Sequence, residues 1–335
     1  MDVRLATVTW LVKAIVRSEY GTPDILRLEE IPTPEPGDGE VLVRIRASSV
    51  NRTDLESLAG RPLVYRAFMG LRRPRNGRLG LDAAGEVEAV GPGVERFKPG
   101  DKVFADLLYH GMCAFAEYAC AREKAWRPIP DGVDFETAAT LPASAVLALQ
   151  GLGGRDGVRA GERVLIIGAS GSVGIFAVQL AKAAGAHVTG VSSAGKFDLV
   201  RSIGADDVID YARENYTRGD RRYDRILDAV AMHSVFSVRR ALTAGGVYGA
   251  HGGRSSGGLL QAMALGPLLS VGRKRRIGVV MGRPNDAADL ATVGEMVRAG
   301  TLVPLIDRTF TLAGVPEALR IYAAGEARGK LVIRI

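Results

Sequence analysis

An apolar run, Val164-Leu165-Ile166-Ile167, passes straight into Gly168-Ala169-Ser170-Gly171-Ser172-Val173-Gly174, and a helical pattern follows from Ile175. Four consecutive apolar residues suit a strand buried on both faces, the habit of a parallel sheet. The turn reads G-x-x-G-x-x-G rather than G-x-G-x-x-G, but it serves the same physics. Small residues let the backbone approach a pyrophosphate, and the helix N-terminus favours its charge. A glycine pattern alone is weak. The strand before it and the helix after it, within one βαβ unit, give it meaning.

The helix runs to Ala184 and stops at Gly185, and a second strand, His187–Val191, leads into Ser192-Ser193-Ala194-Gly195-Lys196. A site built for NAD places an Asp or Glu about 20 residues beyond the glycines, where it receives the ribose hydroxyls. Here two hydroxyls and a lysine stand instead, so the sequence favours NADP(H), with Lys196 either on the 2′-phosphate or simply solvated. The alternation continues. A helix over Phe197–Ile203 precedes strands at Asp207–Asp210, Arg225–Val230, Gly246–Ala250 and Ile277–Met281. Strands alternating with helices predict an α/β fold with a doubly wound parallel sheet.

At 335 residues the chain has room for two domains. Its first 130 residues carry short β-like runs (Val12–Arg17, Val41–Ala47, Gly85–Val90, Lys102–Ala105, Phe115–Cys120) punctuated by Pro and Gly, which predict a partly closed barrel. A helix near Glu136–Leu152 leads into the parallel sheet. Another around Asp286–Ala299 precedes strands at Leu302–Ile306 and Leu331–Ile335 that return to the first domain. The expected division is therefore 1–132 with 286–335, and 133–285, with residues 1–11 an extension. Formal charge is +7, with clusters at Arg72, Arg73, Arg75 and Arg78 and at Arg273, Lys274, Arg275 and Arg276. Neither has the interleaved aromatics of a stacking platform, so they read as solvated surface and no nucleic-acid partner is expected. Leu259–Val271 is too short to span a bilayer and reads as a dimer contact or a flap. Two cysteines, Cys113 and Cys120, and no signal-peptide pattern fit a reducing cytoplasm.

Val50-Asn51-Arg52-Thr53-Asp54, Leu79–Val87, Phe97–Val103, the Gly168–Gly174 turn, Ser202–Tyr211 and Ala327–Ile333 together carry a resemblance. Over essentially all of Val12–Ile335 the chain resembles the zinc-free quinone oxidoreductase (zeta-crystallin-like) branch of the medium-chain dehydrogenase/reductase superfamily. The resemblance implies a Rossmann domain plus a GroES-like (chaperonin-10-like) β-barrel catalytic domain, with the active site between them. It assigns Ala169, Ser170, Gly171, Ser172, Val173 and Gly174 to the pyrophosphate of NADPH. Ser192, Lys196 and Tyr211 fall at the 2′-phosphate and adenosine end, and Val230 and Gly252 beside the nicotinamide ribose. Lys330 reaches toward the cleft or lies on the surface. A homodimer pairing Ile277–Met281 is expected by the same resemblance.

Zinc alcohol dehydrogenases of this superfamily place Cys where Asn51 stands, His-Glu where Leu81-Asp82 stands, and a third Cys near Ser144. A catalytic zinc needs about three protein ligands, and these positions offer no thiol or imidazole. His110, Cys113 and Cys120 match no standard spacing and read as packing residues. Without a Lewis acid, hydride transfer favours acceptors with their own electron sink, such as quinones and α,β-unsaturated carbonyls. Asn51 and Tyr65 are the expected catalytic residues. Asp54 reads as a site residue or a helix cap, and Tyr109, His110 and His251 are weaker candidates. Leu147 replaces a threonine that contacts the cofactor in the family. A metal-free alcohol dehydrogenase, an enoyl-thioester reductase and a non-catalytic NADPH-binding protein stay open as alternatives.

Overall fold

A computed structural model describes residues 10–252, 256–271 and 275–335, apart from the side chains of residues 64, 65, 68 and 256. Nine residues of the expected N-terminal extension, and Arg273 and Lys274 of the second basic cluster, lie outside the described residues. The first part contains β1 (Leu11–Val16), β2 (Arg27–Pro32), β3 (Glu40–Ser49), α1 (Arg52–Ala59), α2 (Val64–Met69) and β4 (Asp82–Val90). It continues with β5 (Lys102–Asp106), β6 (Tyr118–Arg122), β7 (Arg127–Pro128), α3 (Phe135–Ala138) and α4 (Ser144–Gly151). The middle begins by alternating strand and helix: β8 (Arg163–Ile167), α5 (Ser172–Ala183), β9 (His187–Ser192), α6 (Phe197–Ser202) and β10 (Asp207–Asp210). It goes on through β11 (Tyr223–Asp228), α7 (Val235–Ala241), β12 (Leu242–Ala250), α8 (Ser256–Leu269) and β13 (Arg276–Val279). The chain closes with α9 (Ala287–Arg298), β14 (Ile306–Thr311), α10 (Val315–Ala324) and β15 (Lys330–Arg334).

Six parallel strands line up as β10-β9-β8-β11-β12-β13. Val164, Leu165, Ile166 and Ile167 of β8 are all buried, as expected of a strand covered by helices on both faces. Strand order reverses at β8, so the glycine turn sits at the switch point where such sheets bind ligands. The second sheet runs β14-β15-β3-β4-β5-β7, with β6 paired to β3. Thus the C-terminal strand returns to the first part of the chain and pairs antiparallel with β3, Val332 opposite Ser49. One apolar cluster joins the sheets, from Ala47, Ala84 and Phe104 through Val146 and Leu149 of α4 to Val164, Ile166 and Phe176. Burying a side chain of Leu or Phe size stabilises by about 1.5–3 kcal/mol, so this shared core fixes one sheet against the other.

Two sequence expectations are corrected, and one strand is added. The helix expected near Glu136–Leu152 is two, α3 and α4, separated around Pro142, whose ring and missing N–H do not suit a helix interior. β2 carries no strand signal because half of its residues, RLEEIP, are charged and nearly all are exposed; among the described residues it forms a two-stranded sheet with β1. The strand expected at Leu302–Ile306 begins instead at Ile306, because Leu302 is buried in the core as a single apolar anchor.

Candidate active site

β3 lies between β15 and β4, and this pairing brings distant residues together. Ser49 is opposite Asp82 across one edge and Val332 across the other, so Asn51, Asp82 and Lys330 meet just beyond the strand end. The Lys330 ammonium donates to Asn51 Oδ1 at 2.8 Å and to Ser144 Oγ at 2.9 Å, with Asp82 Oδ2 at 3.6 Å. Asn51 Nδ2 donates to Asp82 Oδ2 at 2.8 Å and to the Ser49 carbonyl at 3.1 Å. Ser49 Oγ also donates to Asp82 Oδ2, at 2.8 Å. Asp82 Oδ1 accepts the Ala143 amide at 2.9 Å, at the start of α4, which carries Ser144 into the cluster. Lys330, Asp82 and Ser49 are fully buried. Buried charges persist only when paired and hydrogen-bonded, and here they are.

Asn51, Asp82 and Ser144, which the resemblance matches to zinc-ligand positions, therefore converge, but around an ammonium. Leu81 is buried and has no donor. A divalent cation among Asn51, Asp82 and Ser144 would have to displace a charge of its own sign, so this residue set does not fit a zinc ion. Among the described residues no other group of three or more His, Cys, Asp or Glu could hold a metal. Cys113 is buried and Cys120 half-buried; both are free thiols.

Asn51 is consumed by this network. Its oxygen receives Lys330 and Ser144 and both amide hydrogens have acceptors, which fills the amide's hydrogen-bonding capacity. Asn51, expected beside the nicotinamide or substrate oxygen, here holds Lys330 and Asp82. Asp54 caps α1, its Oδ2 accepting the Asn51 amide at 2.8 Å. Its Oδ1 is buried with no hydrogen-bond partner among the described residues.

Burial pushes the Asp54 carboxyl up to about 8, against the pull of the Asn51 amide, and Asp82 nearby adds repulsion. Burial likewise raises Asp106 to about 7. The folded state holds protons that the unfolded chain releases near pH 4, so these acids make stability fall as pH rises through 7 to 8. His251, lowered to about 4 by burial and by Arg52, acts in the opposite sense only below 6.5. Unfolding free energy should therefore drop by on the order of 1 kcal/mol between pH 6.5 and 8 through Asp54. Asp54→Asn should flatten that slope. Parallel denaturant titrations at the two pH values, giving the same slope for both proteins, would contradict it.

On the parallel sheet the glycine turn is open to a phosphate. Gly168 adopts φ +81°, and a Cβ there would lie 3.2 Å from Val230 Cγ2. Gly171, the N-cap of α5, has no side chain to satisfy the first amides of that helix. A Cβ at Gly174 would collide with the Gly168 carbonyl oxygen and come within 2.7 Å of the Ala169 backbone. Ala169 is buried, its amide donating to the Val191 carbonyl at 3.0 Å. The glycine turn, with the uncapped first amides of α5 beyond Gly171, fits a pyrophosphate. Val230 is half-buried beside it, its amide on Asp228 Oδ1 at 2.9 Å. The His251 amide bonds the Asp228 carbonyl at 2.7 Å and so places Gly252 at the same strand-end rim.

Ser192 is buried at the end of β9, and Tyr211 beside it is exposed. Lys196 is not simply solvated: its ammonium donates to the carbonyls of Gly325 at 2.8 Å and Ala327 at 2.6 Å. Tyr65 lies on α2, but its side chain is outside the described residues. Tyr109 is exposed, and Leu147 is half-buried near Gly282. Ser144 does not replace the missing threonine hydroxyl, being committed to Asn51 and Lys330. Sequence reasoning missed Asp82 as the hub of the network and Tyr322, whose hydroxyl lies 3.2 Å from Ser172 Oγ at the head of α5. In the sequence Asp82 stands out only through the Leu79–Val87 stretch and as the match to the zinc enzymes' His-Glu pair.

Residues 37–131 match the alcohol dehydrogenase GroES-like domain and residues 203–333 the zinc-binding dehydrogenase family. The chain is 33% identical over 337 residues to the chloroplastic quinone-oxidoreductase QR1 of Triphysaria versicolor, covering 96% of this chain and 98% of that protein. It is 36% identical over 234 residues to the chloroplastic NADPH-dependent alkenal/one oxidoreductase of Arabidopsis thaliana, covering 66% and 58% of the two. The solved quinone oxidoreductase of Coxiella burnetii superposes with a TM-score of 0.85 at 27% identity, over 97% of this chain and 99% of that one. With two sheets in this topology and relatives of this similarity over nearly the whole length, the chain belongs to the medium-chain dehydrogenase/reductase superfamily, in its quinone oxidoreductase branch.

Proposed function

We propose that this chain is an NADPH-dependent reductase of quinones or α,β-unsaturated carbonyls that works without zinc. The observation that carries the reading is the Lys330 ammonium, enclosed by Asn51, Asp82 and Ser144 where a metal-dependent relative holds its ion. When bound, NADPH supplies the hydride. A conjugated acceptor spreads the incoming charge onto its own carbonyl oxygen, so the chain must orient it and exclude water rather than polarise it with a metal. Lys330 leaves a fixed positive charge at the base of the site. His251, at the strand-end rim and kept neutral at physiological pH by burial, and Tyr65 stay candidate proton donors on sequence grounds.

Ala169 to Gly174 are assigned to the pyrophosphate, Val230 and Gly252 to the nicotinamide ribose, and Ser192, Lys196 and Tyr211 to the phosphorylated ribose. Between Ser192 and Lys196 no carboxylate stands to repel that phosphate. In this reading residues 1–132 and 286–335 form the catalytic domain and 133–285 the cofactor domain. Copies pair through the edge of β13, which has β12 on its other side, and two free thiols suit a reducing cytoplasm. No helix among the described residues is long and apolar enough to cross a membrane. Purified protein given NADPH and a panel of quinones and enones should consume NADPH only when an acceptor is present, and NADH more slowly. Tight NADPH binding with no turnover across the panel would instead favour a non-catalytic binding protein.

A further inference from the structure

The face of the parallel sheet that α8 leaves uncovered carries cations near the amino ends of its strands. Arg225 of β11, Val247 of β12 and Arg276 of β13 stand in register, so their side chains share one face. Ile277, the next residue, is buried with Ala262 of α8 on the other. On the shared face an open groove of about 1220 Å³ is lined by these three, by Arg159 and Glu162 ahead of β8, and by Gly278. A Cβ on Gly278 would meet nothing within 4 Å, so the floor beside Arg276 is bare backbone.

Arg225 is 7% exposed, and its Nε is buried without a hydrogen-bond partner among the described residues. Its Nη2 donates to the Gly157 carbonyl, and its ion-pair partner, Glu162 Oε2, stands 3.7 Å from Nε, beyond hydrogen-bond length. That oxygen also lacks a hydrogen bond. Burial lowers the Arg225 guanidinium; Glu162 opposes the shift, and Arg276 and Arg159 add to it. Arg159 and Arg276 are exposed and make no ion pair among the described residues. Of the other carboxylates lining the groove, Asp224 is spent on the Arg163 amide and the Thr243 hydroxyl, each at 2.9 Å, and Asp156 is exposed. Three guanidiniums thus converge with one long ion pair among them.

We propose that this groove binds a phosphate group, free or carried on a small metabolite, through Arg159, Arg225 and Arg276. Guanidinium forks match phosphate oxygens two at a time, and a buried donor left unpaired is costly until a ligand fills it. The groove is separate from the cofactor cradle. The glycine turn lies at the carboxyl ends of the strands, whereas Arg225 lies about 10 Å before the carboxyl end of β11 at Asp228. The inference does not depend on the NADPH reading.

Calorimetric titration of the NADPH-saturated full chain with inorganic phosphate and with glycerol 3-phosphate tests this, the cofactor keeping its own phosphate positions filled. One saturable site per chain is expected for at least one of the two, and the tighter of them tells whether free phosphate or an ester is the ligand. Arg159→Gln and Arg276→Gln should each weaken that binding about tenfold. Both side chains are exposed, so the urea midpoint should stay where it is in the parent. No saturable binding at millimolar concentrations, or an unchanged affinity in either variant, would overturn the proposal.

Discussion

Lys330→Met should destabilise the chain by about 3–5 kcal/mol, the usual cost of leaving one member of a buried ion pair without its partner. Asp82 is fully buried, and its remaining neighbours, Ser49, Asn51 and the Ala143 amide, are neutral donors. They soften the loss of the cation without replacing its charge. Ser144 Oγ and Asn51 Oδ1 would each lose a charge-assisted bond as well. Adding Asp82→Asn should recover much of the stability, because a buried pair replaced by neutral groups is often nearly neutral. Urea unfolding of the parent, both single variants and the double variant measures this coupling. A Lys330→Met protein that unfolds at the parent's midpoint would show that the ammonium is not the counter-charge described.

Gly174→Ala should have the next largest effect, and it should fall on the cofactor. The added methyl would drive into the Gly168 carbonyl and the Ala169 backbone, none of which can rotate away as a flexible side chain could. Either the glycine turn opens or α5 withdraws from it, and overpacking of this kind costs about 1–3 kcal/mol in stability. The backbone amides of the cradle then no longer face one phosphate position, so NADPH affinity should fall by at least tenfold, on the order of one lost charge-assisted contact. Gly219→Ala is the matched control, since a Cβ there meets only the Arg221 nitrogen, at 4.0 Å. Titration of intrinsic fluorescence with NADPH compares the three proteins, and equal affinities for Gly174→Ala and the parent would contradict the placement of the pyrophosphate.

Local signals made most of the parallel sheet legible. The glycine turn, the C′ glycine at Gly185 and the apolar runs of β8 and β9 are written within a few residues of where they act. The strand Asp207–Asp210 and the helix starting at Phe197 lie where the sequence places them. Asn51-x-x-Asp54 is also local, and Asp54 does cap α1. What the sequence hid depends on pairing across long separations. Lys330 looks like any lysine at the start of a strand until β15 docks beside β3 and buries it. Asn51 looks like a group free to meet substrate until Asp82 and Lys330 arrive from 31 and 279 residues away. Lys196 likewise finds its acceptors at the end of α10, about 130 residues on. Charge burial and spent hydrogen-bonding capacity are tertiary properties, and no window of sequence states them.

The most direct test of the account is quinone-driven NADPH oxidation by protein that has been stripped with a chelator and assayed for zinc. The account predicts an undiminished rate with zinc far below one ion per chain, since an ammonium already occupies the metal's position. A rate that disappears on chelation and returns in proportion to added zinc would contradict it.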